Sequence, residues 1–229
     1  MSHAFRLIIF DYDGTLVDSQ RTIVATMAQA FAAHGLAAPA PAAVRRIVGL
    51  KLESAIARLL SEAGDADTAL RVAASYREAF FAQRQRDDFD EPLFPGVRDG
   101  LRQRDRPPVA LGIATGKSQR GVLAGLERHG LRHHFVTVQT ADDGPGKPHP
   151  ELLLRAMVDV GAQPAETALI GDTTYDMEMA VNAQVVGIGV AWGYHEPGEL
   201  RASGAARVAD RFADLPAALA APRETLACD

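Results

Sequence analysis

The chain has 229 residues, 47% of them hydrophobic, which suits one large or two small domains with a proper buried core. Its net charge of -5 argues against a nucleic-acid or anionic-membrane partner, and no apolar run approaches the roughly 18 residues of a membrane span. The single cysteine, Cys228, cannot form an internal disulfide, and the N-terminus is expected to run straight into the first strand without a signal peptide, so a soluble cytoplasmic protein is expected.

Leu7 to Phe10 form a short, unbroken apolar run, too short for a helix and rich in β-branched residues. It reads as a strand buried on both faces, as in a parallel sheet. Asp18 or Ser19 can cap a helix over Gln20 to His34, whose apolar Ile23, Met27, Ala30 and Phe31 recur at helical spacing, and Gly35 stops it. Helical patterns follow over Ala42 to Val48, Leu52 to Ala63 and Asp67 to Arg86, with no strand pattern before Pro92. After PLFPG the pattern changes. Strands are expected at Val109 to Ala114, Phe135 to Val138, Ala168 to Gly171 and Val185 to Val190, with an edge strand at Ala206 to Val208. Helices are expected at Val97 to Arg104, Ser118 to His129, Pro150 to Val160, Tyr175 to Asn182, Gly198 to Ser203 and Phe212 to Ala221. Alternating strands and helices imply right-handed crossovers and a parallel sheet. The expected fold is therefore α/β: a doubly wound parallel-sheet core built from residues 1–16 and 93–229, with an α-helical cap of residues 17–92 inserted through two linkers. A cap hinged on two linkers above the strand ends would act as a lid.

The chemistry concentrates where strands end. Asp11 and Asp13 follow the first strand, at the edge where open α/β sheets place ligands. Paired carboxylates beside a hydrophobic strand are costly unless a cation or proton offsets their repulsion. Thr115, Gly116 and Lys117 follow a second strand, where a hydroxyl and free N–H groups at a helix start suit an anion, although Thr115 could simply cap that helix. Lys147, in Gly146-Lys147-Pro148, is either a solvated loop lysine or a point charge for phosphate or carboxylate. Asp172 ends a third apolar strand, and Asp176 lies one turn into the next helix, where a capping role is the simpler reading. All converge on one sheet edge. Carboxylate oxygens without histidine or cysteine nearby suit a hard cation, Mg²⁺ above all. A metal, a lysine and N–H groups around a carboxylate nucleophile make a phosphoryl-transfer site.

These four segments resemble the signature motifs of the haloacid dehalogenase superfamily, in the branch with a helical cap after the first motif. FDYDGTLVDS, ATGKS, GKPHPELL and GDTTYDM are most similar to phosphoglycolate phosphatase-like proteins. The resemblance implies a Rossmann-like core and a Mg²⁺-dependent phosphatase acting on a small phosphorylated metabolite, as monomer or homodimer. It implies Asp11 as the nucleophile that forms an aspartyl-phosphate. Asp13 would be the general acid, then the base for water. Thr115 and the N–H of Gly116 would hold phosphoryl oxygens, and Lys147 would stabilise the developing charge and restrain Asp11. Asp11, the backbone carbonyl of Asp13, and Asp172 would hold Mg²⁺, with Asp176 fixing Lys147 or a metal-bound water from behind.

Related chemistries stay open to different degrees. Dehalogenases and phosphonate-cleaving relatives lack an acid at the position of Asp13, and the latter form a Schiff base on a cap lysine; Lys51 lies near that place but reads as solvated or substrate-orienting. β-Phosphoglucomutase-like isomerases share all four motifs and are the runner-up. A non-catalytic binding module on the same fold is a third reading. Substrate choice is assigned to the cap, where Arg45, Arg46, Gly49 and Lys51 are candidates to face the site, although the two arginines could equally be surface groups. Trp192 and Tyr194 are read as packing residues, and His133, His134, His149 and His195 as surface groups.

Overall fold

The computed structural model describes residues 5–60, 66–86, 88–105 and 108–220. The expected helix ends at Ala63 and Ala221, and Cys228, lie outside these residues. Leu7–Phe10 forms β1, fully buried, with in-register parallel partners on both sides: β2 (Ala110–Ala114) and β4 (Thr167–Gly171). β3 (Phe135–Gln139) extends the sheet beyond β2, and β5 (Val186–Val190) and β6 (Arg207–Ala209) extend it beyond β4, giving the all-parallel order β3-β2-β1-β4-β5-β6. Chain order reverses direction across β1 and β4, so the crevice that open sheets use for ligands opens at their carboxyl ends.

Strand alternation sorts the core into two layers. Ile8 and Phe10 face one way, onto Val97 and Leu101 of α5 (Val97–Arg104), Val122 and Leu126 of α6 (Gln119–Arg128), and Phe212. Leu7 and Ile9 face the other way, onto Leu152 and Met157 of α7 (Glu151–Val160) and Met179 of α8 (Thr174–Asn182). Leu200 of α9 (Pro197–Ala202) is buried near the far edge of the sheet. The expected single helix from Phe212 is instead a 3₁₀ turn over Phe212–Asp214 followed by Leu215–Ala220. Pro216 lacks the N–H that would bond back into the first turn.

Residues 20–84 build four helices among the described residues, α1 (Gln20–Ala32), α2 (Pro41–Ile47), α3 (Leu52–Leu60) and α4 (Ala66–Arg84). They share an apolar cluster of their own, including Met27, Phe31, Val44, Ile56 and Val72. The entering and leaving chains run side by side: Asp18 N donates to Pro92 O at 2.8 Å and Phe94 N to Leu16 O at 3.0 Å. The helical layer is thus tied to the sheet where β1 ends.

Two expected surface histidines are buried. Thr174 N donates to His195 Nδ1 at 3.1 Å, which satisfies a free N–H at the start of α8. His134 Nδ1 lies 2.7 Å from Asp105 Oδ2. Each ring has a local partner at Nδ1, which sequence spacing does not reveal.

Candidate active site

Asp11 stands one residue past β1, held in place by its N–H, which donates to Ile170 O at 2.9 Å. Lys147 reaches it from the loop between β3 and α7. Its Nζ lies 2.7 Å from Asp11 Oδ1 and 2.6 Å from Asp176 Oδ1, and all three side chains are buried. The lysine is therefore no solvated loop residue. It does not line the substrate-sized cavity described below, because it sits among the carboxylates it holds.

Asp172 ends β4 and is braced on both oxygens. Thr15 Oγ1 donates to Oδ1 at 2.8 Å and Tyr194 N to Oδ2 at 2.9 Å. Gly14, at φ +85°, allows this approach: a Cβ there would collide with the Asp172 carboxylate. Asp176 keeps the capping role expected of an acid at a helix start, since its Oδ2 accepts from Thr173 N at 3.1 Å and Thr173 Oγ1 at 2.7 Å. Its other oxygen serves Lys147. Oxygens of Asp11, Asp172 and Asp176 all lie within 4.8 Å of one another.

Three buried carboxylates against one ammonium leave uncompensated negative charge. Burial pushes the Asp11 carboxyl up to about 7, against the pull of Lys147 and with help from Asp176. Burial, then Asp11 and Asp176, push Asp172 well above the usual carboxylate range. Burial disfavours the charge on Lys147, but its two carboxylate partners outweigh this and raise it. Asp11 Oδ2 has no hydrogen-bond partner among the described residues. An all-oxygen, over-charged cluster with an unpartnered buried oxygen fits a hard divalent cation.

The Asp13 carboxylate is outside that cluster. Lys117 Nζ approaches its oxygens at 2.9 and 3.1 Å, and Ser19 Oγ donates to Oδ1 at 2.6 Å. Ser19 occupies the capping position of α1, yet its side chain makes no cap; it is diverted to the site. Sequence reasoning gives Lys117 no role and Ser19 only that of a helix cap, although both stand inside the recognised segments. Lys117 is also 4.6 Å from the Phe80 ring centre and 5.6 Å from that of Tyr12. Its burial opposes the charge, but Asp13 and the buried Glu91 outweigh that and raise its pKa. Tyr194, expected to pack, contributes its N–H to Asp172 and its hydroxyl, 3.2 Å from Ser19 Oγ.

Thr115 is buried at the end of β2, and Ser118 rather than Thr115 caps α6 by accepting from Gly121 N. Thr115 Oγ1 accepts from Lys117 N at 3.2 Å and keeps its own hydrogen to donate. Together with Asp11, Asp13, Gly116 and Lys117 it floors a cavity of about 260 Å³ whose roof is the helical layer. The loop after α2 closes tightly there: a Cβ on Gly116 would lie 2.5 Å from Gly49 O and 2.8 Å from Leu50 O. Gly49, at φ +97°, and Lys51 line the cavity as expected. Lys51 Nζ donates to Gly144 O at 3.5 Å. Arg45 and Arg46 do not line it. The helical period of α2 turns Val44 and Ile47 inward, and Arg46 instead pairs with Glu199 at 2.6 Å across to α9.

Residues 8–190 match the family model described as haloacid dehalogenase-like hydrolase. A protein of Dickeya dadantii (strain 3937) named "Probable phosphatase IndB" is 36% identical over 210 residues, covering 91% of each chain. The phosphoglycolate phosphatase of Vibrio vulnificus (strain CMCP6) is 32% identical over 220 residues, covering 92% of this chain and 94% of its own. Among solved structures, a hydrolase from Pseudomonas syringae superposes with a TM-score of 0.81 at 29% identity, covering 93% of this chain and 96% of that one.

Proposed function

Because the chain belongs to the haloacid dehalogenase-like hydrolase family, we propose that it is a phosphatase that cleaves a small phosphorylated metabolite through an aspartyl-phosphate on Asp11. The observation that carries this reading is the buried cluster of Asp11, Lys147, Asp172 and Asp176, with Asp13 two residues away on the same loop and open to the same cavity.

In the first half-reaction an Asp11 oxygen attacks phosphorus. The bond from phosphorus to the ester oxygen breaks, and Asp13 delivers a proton to the departing alkoxide. In the second, Asp13 takes a proton from water as its oxygen attacks phosphorus; the bond to Asp11 breaks and inorganic phosphate leaves. Lys147 holds Asp11 oriented and offsets negative charge, while the Thr115 hydroxyl and the Gly116 N–H donate to phosphoryl oxygens. Asp11, Asp172 and the backbone carbonyl of Asp13 would hold Mg²⁺, which adds positive charge beside the phosphoryl group when bound. Lys117 and Ser19 fix the Asp13 carboxylate at the cavity floor. The cap would shield the covalent intermediate from bulk water.

The test is phosphate release from p-nitrophenyl phosphate with and without Mg²⁺. Turnover should need the metal and fall by on the order of a thousandfold or more in Asp11→Asn, as for loss of a covalent nucleophile. Near-normal turnover in Asp11→Asn would remove Asp11 as nucleophile.

A further inference from the structure

Resting on the phosphatase reading, the geometry points to a narrower substrate class: a phosphomonoester whose leaving group carries an apolar ring and a hydrogen-bond donor, rather than a short carboxylate. The cavity floor is polar, whereas its roof sets a large apolar wall beside its charged groups. Ile23 and Met27 of α1, Leu50 of the closing loop, and Tyr76 and Phe80 of α4 line it. Tyr76 and Phe80 stack at 5.9 Å and 22° to each other, and both, half-buried, belong to this lining. A two-carbon acid esterified at the floor would leave most of that wall uncontacted, whereas a ring would cover it.

The charged groups of the lining agree. Each of its five cations has a partner in the structure. Lys117 is held by Asp13, Arg77 by Glu53, Lys51 by Gly144 O and Arg84 by Gly121 O, while Arg120 lies over the Phe81 ring. Among the described residues, the buried Glu53 Oε2 of the cap lining has no hydrogen-bond partner, and it is an acceptor. Its partner oxygen is bound to Arg77, which outweighs burial and keeps the carboxyl below its usual value. A carboxylate oxygen without a hydrogen-bond partner can accept from an O–H or N–H of the leaving group.

Three esters of primary alcohols separate the readings without a large difference in leaving-group chemistry: benzyl phosphate, 3-(hydroxymethyl)benzyl phosphate and 2-phosphoglycolate. With Mg²⁺ present, kcat/KM for benzyl phosphate should exceed that for 2-phosphoglycolate by roughly tenfold or more, the scale of burying one ring. The added hydroxymethyl group should raise it further, and Glu53→Ala should erase that extra gain. Phe80→Ala should lower the ratio of benzyl phosphate to 2-phosphoglycolate, mainly through KM. A preference for 2-phosphoglycolate, or equal losses on both esters in Phe80→Ala, would overturn the proposal. If no ester is hydrolysed, the phosphatase reading fails and binding decides the cavity. Benzylphosphonate should then bind the unmodified protein more tightly than phosphonoacetate by calorimetry, and the reverse order would sink the ring-bearing class.

Discussion

Lys147 is the side chain on which the acidic cluster depends. Its ammonium is buried between Asp11 and Asp176, and removing one partner of a buried ion pair strands the other charge at a cost of about 3–5 kcal/mol. Lys147→Met keeps the length of the side chain and removes the charge. In metal-free buffer its Tm should fall by on the order of 10 °C, measured by calorimetry, and turnover should fall with it. An unchanged Tm would mean that the cluster tolerates three carboxylates without the lysine. Lys147 also shows how a residue's role hides in a sequence. A lysine between Gly146 and Pro148 reads as solvated until the fold brings two acids, from positions 11 and 176, to its nitrogen. Lys117 and Ser19 hide in the same way, because their partner Asp13 lies 104 and 6 residues away and no periodicity joins them.

At the scale of elements, the contact that decides access is between the loop after α2 and the turn after β2. Gly116 has no side chain, and the Gly49 and Leu50 carbonyls occupy the space where one would be. Gly116→Ala should push that loop away from the floor. We expect KM to rise and kcat/KM to fall by roughly tenfold or more, with Tm lowered by only a few degrees, since a misplacement of about 1 Å can cost about a hundredfold. Steady-state kinetics and a melt on one preparation check both. The Arg46–Glu199 pair and the Tyr175 hydroxyl, which donates to Arg46 O at 2.9 Å, tie the same segment to the sheet side. Helix positions were legible from apolar spacing to within a few residues, because each helix buries one stripe. The direction of Arg45 and Arg46 was not, since a short helix with alanines on several sides does not declare which face is inward.

Over the whole molecule, the site couples stability to pH and metal. The Asp11 and Asp172 carboxyls are both raised in the folded state, Asp11 to about 7 from an unfolded value near 4. Groups raised in this way contribute stability that is fully present below the unfolded value and is lost as pH rises through the folded one. In chelator, Tm should therefore fall between pH 5 and pH 8. Mg²⁺ should raise it, and by more at pH 8, where the carboxylates are ionised and a cation can replace their protons. An equal Mg²⁺ shift at both pH values would separate metal binding from these groups.

What the sequence determined by itself was the frame. A four-residue apolar run ending in Asp11, later strands ending in Thr115 and Asp172, and a strand-free stretch between them specify a parallel sheet with an inserted helical layer, because hydrophobic period and chain order are local and topological properties. Only the tertiary structure decided which polar groups pair: Lys147 with two acids, Lys117 and Ser19 with Asp13, the Tyr194 N–H with Asp172. It also decided that the roof of the cavity carries an aromatic and aliphatic wall while the arginines of α2 face elsewhere. The physical reason is the range of the forces. Burial patterns repeat along the chain at fixed spacing, but a hydrogen bond or ion pair exists only within about 3–4 Å, and only the fold brings residues far apart in sequence to that distance.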